Sequence, residues 1–93
     1  MAELLTDEAI AERLAGLEGW RRSDDAITKA FDNQDFMGSV EFVRRIAAPA
    51  EELGHHPDLA ISWNEVRVSI TSHSAGGLTA SDFELAARID ELD

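Results

Sequence analysis

The stretch EELGHHPDLAISW, Glu51 to Trp63, places two of the chain's three histidines side by side at His55 and His56, with Pro57 directly after them. The third, His73, closes a run rich in β-branched residues, and Asp82 follows beyond a glycine pair. Imidazole titrates near neutral pH and can give or take a proton, so histidines gathered beside a carboxylate suit general acid–base chemistry. Three histidines can also hold a metal ion with one position left open. Pro57 counts against that reading, because it pushes His56 into an extended conformation. Consecutive side chains diverge in extended chain, so the pair is not expected to converge on one ion. One ring is expected to enter the site while the other lines or orients it.

Taken singly, each of these residues has a plainer reading. A loop histidine is usually solvated, Asp82 is a helix N-terminal carboxylate, Pro57 forms a turn, and Trp63 packs. Only convergence would give them chemistry, and the strands decide whether they converge. Leu59, Ile61 and Trp63 alternate on one predicted strand and Val66, Val68 and Ile70 on the next, with Asn64-Glu65 as the turn. In such a hairpin the start of the first strand and the end of the second share one end. His55-His56-Pro57 and His73 therefore meet there. By strand parity Val66, Val68 and Ile70 face the core, while Arg67, Ser69, Thr71 and His73 fall on the other side. The loop after His73 then returns the start of the last helix, with Asp82, toward the same end.

The remaining elements complete the frame. Thr6 is a predicted N-cap with Asp7 and Glu8 in the first turn, and Ile10, Leu14 and Leu17 recur at helical spacing before Gly16 and Gly19. Two short strands, Trp20 to Ser23 and Ala26 to Phe31, flank Asp24-Asp25. Phe36, Val40, Val43 and Ala47, with Met37 and Ile46 beside them, predict one apolar helix face. Pro49 is expected to interrupt or kink that helix near Ala48, and Gly54 to end it. Thr79 and Asp82 form a variant capping box ahead of Phe83, Leu85, Ala86, Ile89 and Leu92. The order α-β-β-α-β-β-α predicts an α+β domain with helices packed on one face of an antiparallel sheet.

Composition narrows the function. Ninety-three residues make one domain with a modest core, for which self-association is a common remedy. Nineteen Asp and Glu against eight Lys and Arg give a formal net charge of −11, which opposes binding to nucleic acid or to an anionic membrane. There is no cysteine, so neither a disulfide nor a thiolate metal site is available. The N-terminal stretch MAELLTDEAI has no basic region followed by a long apolar run, so a secretory signal is not expected and the cytoplasm is the expected location.

The motif spacing is specific. Glu51 is followed after three residues by His55-His56-Pro57; five residues precede Trp63, nine more precede His73, and eight precede Asp82. This pattern resembles the signature of the pterin-4a-carbinolamine dehydratase family. The likeness extends over nearly the whole chain, through Gly19-Trp20, Phe31, Phe36 and GLTASDFELAARID. It implies a four-stranded antiparallel sheet with helices on one face. It also implies a lyase that needs neither metal nor cofactor and converts 4a-hydroxytetrahydropterin to quinonoid dihydropterin and water. The partner it implies is an aromatic amino acid hydroxylase, the assembly a homodimer or homotetramer. By resemblance His55, His56 and His73 are the catalytic positions. Glu51, Pro57, Trp63 and Asp82 are supporting ones, with Glu51 near the pterin edge and Trp63 as a wall of the ring pocket. Pro49 departs from the helix-compatible residue expected there. Relatives of this kind also serve as dimerisation or assembly modules, the alternative to an enzyme.

Overall fold

Local chemistry dictates the helix starts. In the computed structural model, which describes residues 3–93, the Thr6 hydroxyl accepts from the Ala9 amide and opens α1, Asp7–Ala15. Met1 and Ala2, the first residues of the N-terminal stretch read above, lie outside the described residues. Strands β1 (Arg21–Ser23) and β2 (Ala26–Asp32) are joined at Asp24-Asp25. The Asp35 carboxylate accepts from the Gly38 amide and caps α2, Phe36–Leu53. Strands β3 (Asp58–Ser62) and β4 (Glu65–Ile70) follow, then a 3-10 turn at His73–Ala75 and α3, Ala80–Asp90.

The four strands form one antiparallel sheet in the order β1-β2-β4-β3. Ile27, Phe31, Val66, Val68 and Ile70 are buried on one face, against Ile10, Phe42, Ile46, Phe83, Leu85 and Ile89 of the helices. Cross-strand partners share a face, and pairs such as Ile27 with Ile70 and Phe31 with Val66 keep the apolar set together. The opposite face carries Thr28, Ala30, Arg67 and Ser69. The predicted α+β architecture and element order are those observed.

Four local expectations need correcting. The buried face of α2 is Ser39, Phe42, Ile46, Pro49 and Ala50, while Phe36, Met37 and Val40 are exposed. The helix carries two apolar stripes about 100° apart, and periodicity cannot tell which one meets the sheet. Pro49 does not break the helix. It lies on the buried face, and the carbonyl deprived of its amide belongs to the exposed Arg45, where water can replace the bond. The β3–β4 turn is Trp63-Asn64 rather than Asn64-Glu65, since Ser62 pairs with Glu65. Trp63 holds a left-handed φ of 53° there, with its carbonyl accepting from the buried Ser39 hydroxyl at 2.8 Å. Finally, β4 ends at Ile70, so His73 opens a 3-10 turn instead of extending the strand. It is exposed all the same.

Candidate functional site

The site begins with how α2 stops. Gly54 takes φ 62°, a conformation that costs a residue with a Cβ. Its amide donates to the Glu51 carbonyl at 3.2 Å, and the His55 amide donates to the Ala50 carbonyl at 3.0 Å. These two bonds tie the His55 backbone to the last turn of the helix. His56 and Pro57 then lead into β3 at Asp58, and the two rings find different partners. The His55 side chain is 16% exposed and the His56 side chain 63%.

Each ring finds a carboxylate. His55 Nε2 lies 2.6 Å from Oδ1 of Asp82, which is fully buried. His56 Nε2 is hydrogen-bonded to Oε2 of Glu51, out in solvent. Asp82 is also the capping-box residue of α3: its Oδ2 accepts from the Thr79 amide at 2.8 Å and from the Ser72 hydroxyl at 2.9 Å. A buried carboxylate is stable only when its lone pairs are met by donors, and here they are.

The register Asp58 with Ser69 places the start of β3 beside the end of β4, as the hairpin argument requires. A cleft of about 450 Å³ opens at that end, lined by His55, His56 and His73 together with Thr71, Ser72, Ser74 and Ser81. His73 and Thr71 also border a smaller cavity of about 270 Å³ next to Gly76 and Gly77. Three imidazoles thus share one cleft, one of them buttressed from behind by a buried carboxylate. Glu51 reaches the rim through His56. Pro57 directs the chain out of the cleft without lining it.

Trp63 is not brought there. It stands 70% exposed at the far end of β3, five residues and roughly 17 Å of strand away from the histidines. Among the described residues no group of three or more His, Cys, Asp or Glu side chains is placed to hold a metal ion. Sequence reasoning missed Ser72. Continuing the parity of Val66, Val68 and Ile70 puts a hydroxyl on the core side at position 72, and a buried hydroxyl needs a partner.

The family model described as pterin 4 alpha carbinolamine dehydratase matches residues 3–92. This chain belongs to that family. A provisionally named pterin-4-alpha-carbinolamine dehydratase from Thermosynechococcus vestitus is 48% identical, covering 99% of this chain and 97% of that one. A Roseiflexus castenholzii protein of the same name is 49% identical, covering 99% of each. The crystal structure of a transcriptional coactivator/pterin dehydratase from Brucella melitensis superposes with a TM-score of 0.90 at 34% identity, covering 95% of this chain and 96% of that one. A pterin dehydratase-like protein identified as a RuBisCO assembly factor in the alpha-carboxysome shares the fold, with a TM-score of 0.66 at 24% identity over 81% of this chain and 89% of that one. As in any pterin 4 alpha carbinolamine dehydratase family member, fold and activity are separate questions. No helix of the described residues is long and apolar enough to cross a membrane.

Proposed function

We propose that this chain dehydrates 4a-hydroxytetrahydropterin to quinonoid dihydropterin, recycling the cofactor of a pterin-dependent aromatic amino acid hydroxylase. Family membership supports the reaction class. The observation that carries the reading to this chain is the set of three imidazoles on one cleft, with His55 braced by buried Asp82. In the reaction the C4a–O bond breaks and the leaving hydroxyl takes up a proton and departs as water. N5 gives up its proton, and its electron pair closes the C4a=N5 bond. One proton is delivered and one collected per turnover, which is work for an acid and a base. His55 and His73 share these transfers. His56, turned outward to Glu51, binds substrate at the rim. No metal or cofactor is assigned; the pterin is the substrate.

The second reading is a non-catalytic dimerisation or assembly module. The exposed Phe36, Met37 and Val40 of α2 and Leu59, Ile61 and Trp63 around β3 support self-association under either reading. A homodimer or homotetramer is proposed on that basis. An assay on freshly generated 4a-hydroxytetrahydropterin separates the two. Acceleration over the spontaneous rate that is lost in the His55/His73 double variant is expected. No acceleration, from protein that folds and self-associates, leaves the module reading in its place.

A further inference from the structure

The chain of hydroxyls behind His55 has a single possible direction. Ser72 Oγ donates to Asp82 Oδ2 at 2.9 Å, which uses its only proton. Thr79 Oγ1, 2.9 Å from Ser72 Oγ, must therefore be the donor in that contact. Thr79 Oγ1 in turn accepts from the Ser81 amide at 3.3 Å, and the Thr79 amide donates to Asp82 Oδ2 at 2.8 Å. Every proton in the chain is aimed at Asp82. Ser72, Thr79 and Asp82 are all buried, and an ionised carboxylate can only accept, so the order starts from Asp82.

An Asp82 that receives donors on Oδ2 keeps Oδ1 as an acceptor for His55. A carboxylate oxygen only accepts, so in the 2.6 Å contact with Oδ1 the proton is carried on Nε2. The other ring nitrogen, Nδ1, makes no hydrogen bond among the described residues, where no buried side-chain nitrogen or oxygen lacks a partner. Nδ1 is therefore open to the cleft that His55 lines.

We infer that Ser72 and Thr79 are positioning residues which, by orienting Asp82, hold His55 in its Nε2–H tautomer and leave Nδ1 as the atom that exchanges protons in the cleft. For the kinetic consequence alone this rests on the dehydratase reading. The tautomer is a property of the free protein.

Long-range ¹H–¹⁵N NMR of the intact protein, at a pH where His55 is neutral, reads that property directly. The wild type is expected to show a protonated Nε2 and a bare Nδ1 at His55. Ser72→Ala should mix the two tautomers and lower kcat roughly tenfold with KM little changed, a smaller loss than removing an acid–base group outright. Ser72→Thr restores the hydroxyl and should restore both readouts. Asp82→Asn is the second variant, in case Ser72→Ala does not fold. Its one side-chain oxygen is claimed by the Thr79 amide and the Ser72 hydroxyl, which turns the NH2 toward His55 and forces the ring to carry its proton on Nδ1. A wild-type His55 protonated at Nδ1 overturns the inference. So does an Asp82→Asn ring that keeps Nε2–H, or a folded Ser72→Ala that alters neither tautomer nor kcat. The expected tautomers in protein with no dehydration activity would uphold the inference and sink the dehydratase reading instead.

Discussion

The Asp82 carboxylate holds His55 with one oxygen and closes the capping box of α3 with the other. Helix start and candidate catalytic ring are thereby one structural unit. Whatever disturbs the first turn of α3 disturbs His55, although the two residues come from opposite sides of the sheet hairpin.

Asp82→Ala should therefore lose stability and activity together. Removing a cap costs about 1 kcal/mol. Leaving the buried Ser72 hydroxyl and the His55 N–H without an acceptor raises the total to about 2–4 kcal/mol. Glu51→Ala is the control, because the Glu51–His56 pair stands in solvent; it should cost less than about 0.5 kcal/mol. Urea unfolding midpoints check both. Equal effects in the two variants would mean that burial of Asp82 is not what matters.

The histidines should divide their labour by position. His55→Ala or His73→Ala alone should cost about 10²-fold or less in kcat, since the remaining ring and a relayed water can cover one transfer. The His55/His73 double should cost much more than either, because neither proton then has a catalyst. His56→Ala should mainly raise KM, as its ring faces the rim and Glu51. Steady-state constants for these four variants decide the matter, and wild-type turnover in the double would end the histidine mechanism.

Much of this site was legible beforehand, for physical reasons. A hairpin brings the start of one strand to the end of the next, so the meeting of His55 and His73 followed from alternation alone. The His55/His56 divergence followed from Pro57, and the Asp82 cap from Thr79 three residues earlier. What was hidden depended on tertiary choice. Two stripes of α2 were apolar, and the sheet took the one with Phe42 and Ile46. Trp63 matched a motif spacing, yet the turn fell on Trp63 itself and left the indole at the wrong end of β3. Parity with Val66, Val68 and Ile70 puts Ser72 on the core side, but only the tertiary fold makes Asp82 its partner.

Gly54→Ala tests how the helix end seats His55. A Cβ there would meet nothing within 4 Å, so the cost is conformational rather than steric. The left-handed φ predicts a loss of about 1 kcal/mol. Gly54→Asn should lose less, since Asn tolerates that region. A calorimetric scan of the three proteins gives the order Gly, Asn, Ala. Ala as stable as Gly would show that the bonds closing α2 do not require the conformation.

Metal removal should leave activity intact. The three histidines line the cleft, but two of them are engaged by separate carboxylates and their rings diverge. Dialysis against a strong chelator followed by the dehydration assay is the check. Activity that vanishes and returns with zinc would restore the metal reading.

The last prediction concerns the face that the sheet did not use. Phe36, Met37 and Val40 lie exposed on α2, Leu59 and Ile61 on β3, and Trp63 at the turn. Among the described residues β3 pairs only with β4, so its outer edge presents unpaired backbone donors and acceptors. A second copy of the chain could satisfy both the apolar side chains and that edge. Wild-type protein at micromolar concentration and moderate salt should sediment as a dimer or tetramer. Association should weaken at low salt, where repulsion between two chains of net charge −11 reaches farther. Met37→Glu combined with Ile61→Glu should give a folded monomer, because both positions are already open to water in the single chain. Trp63→Gly separates two effects: it relieves the left-handed backbone, worth about 1 kcal/mol of fold stability, and it removes the indole from the proposed contact. That variant should unfold later as a monomer and associate less tightly. A wild-type chain that stays monomeric across these conditions would leave the exposed stripe without this partner.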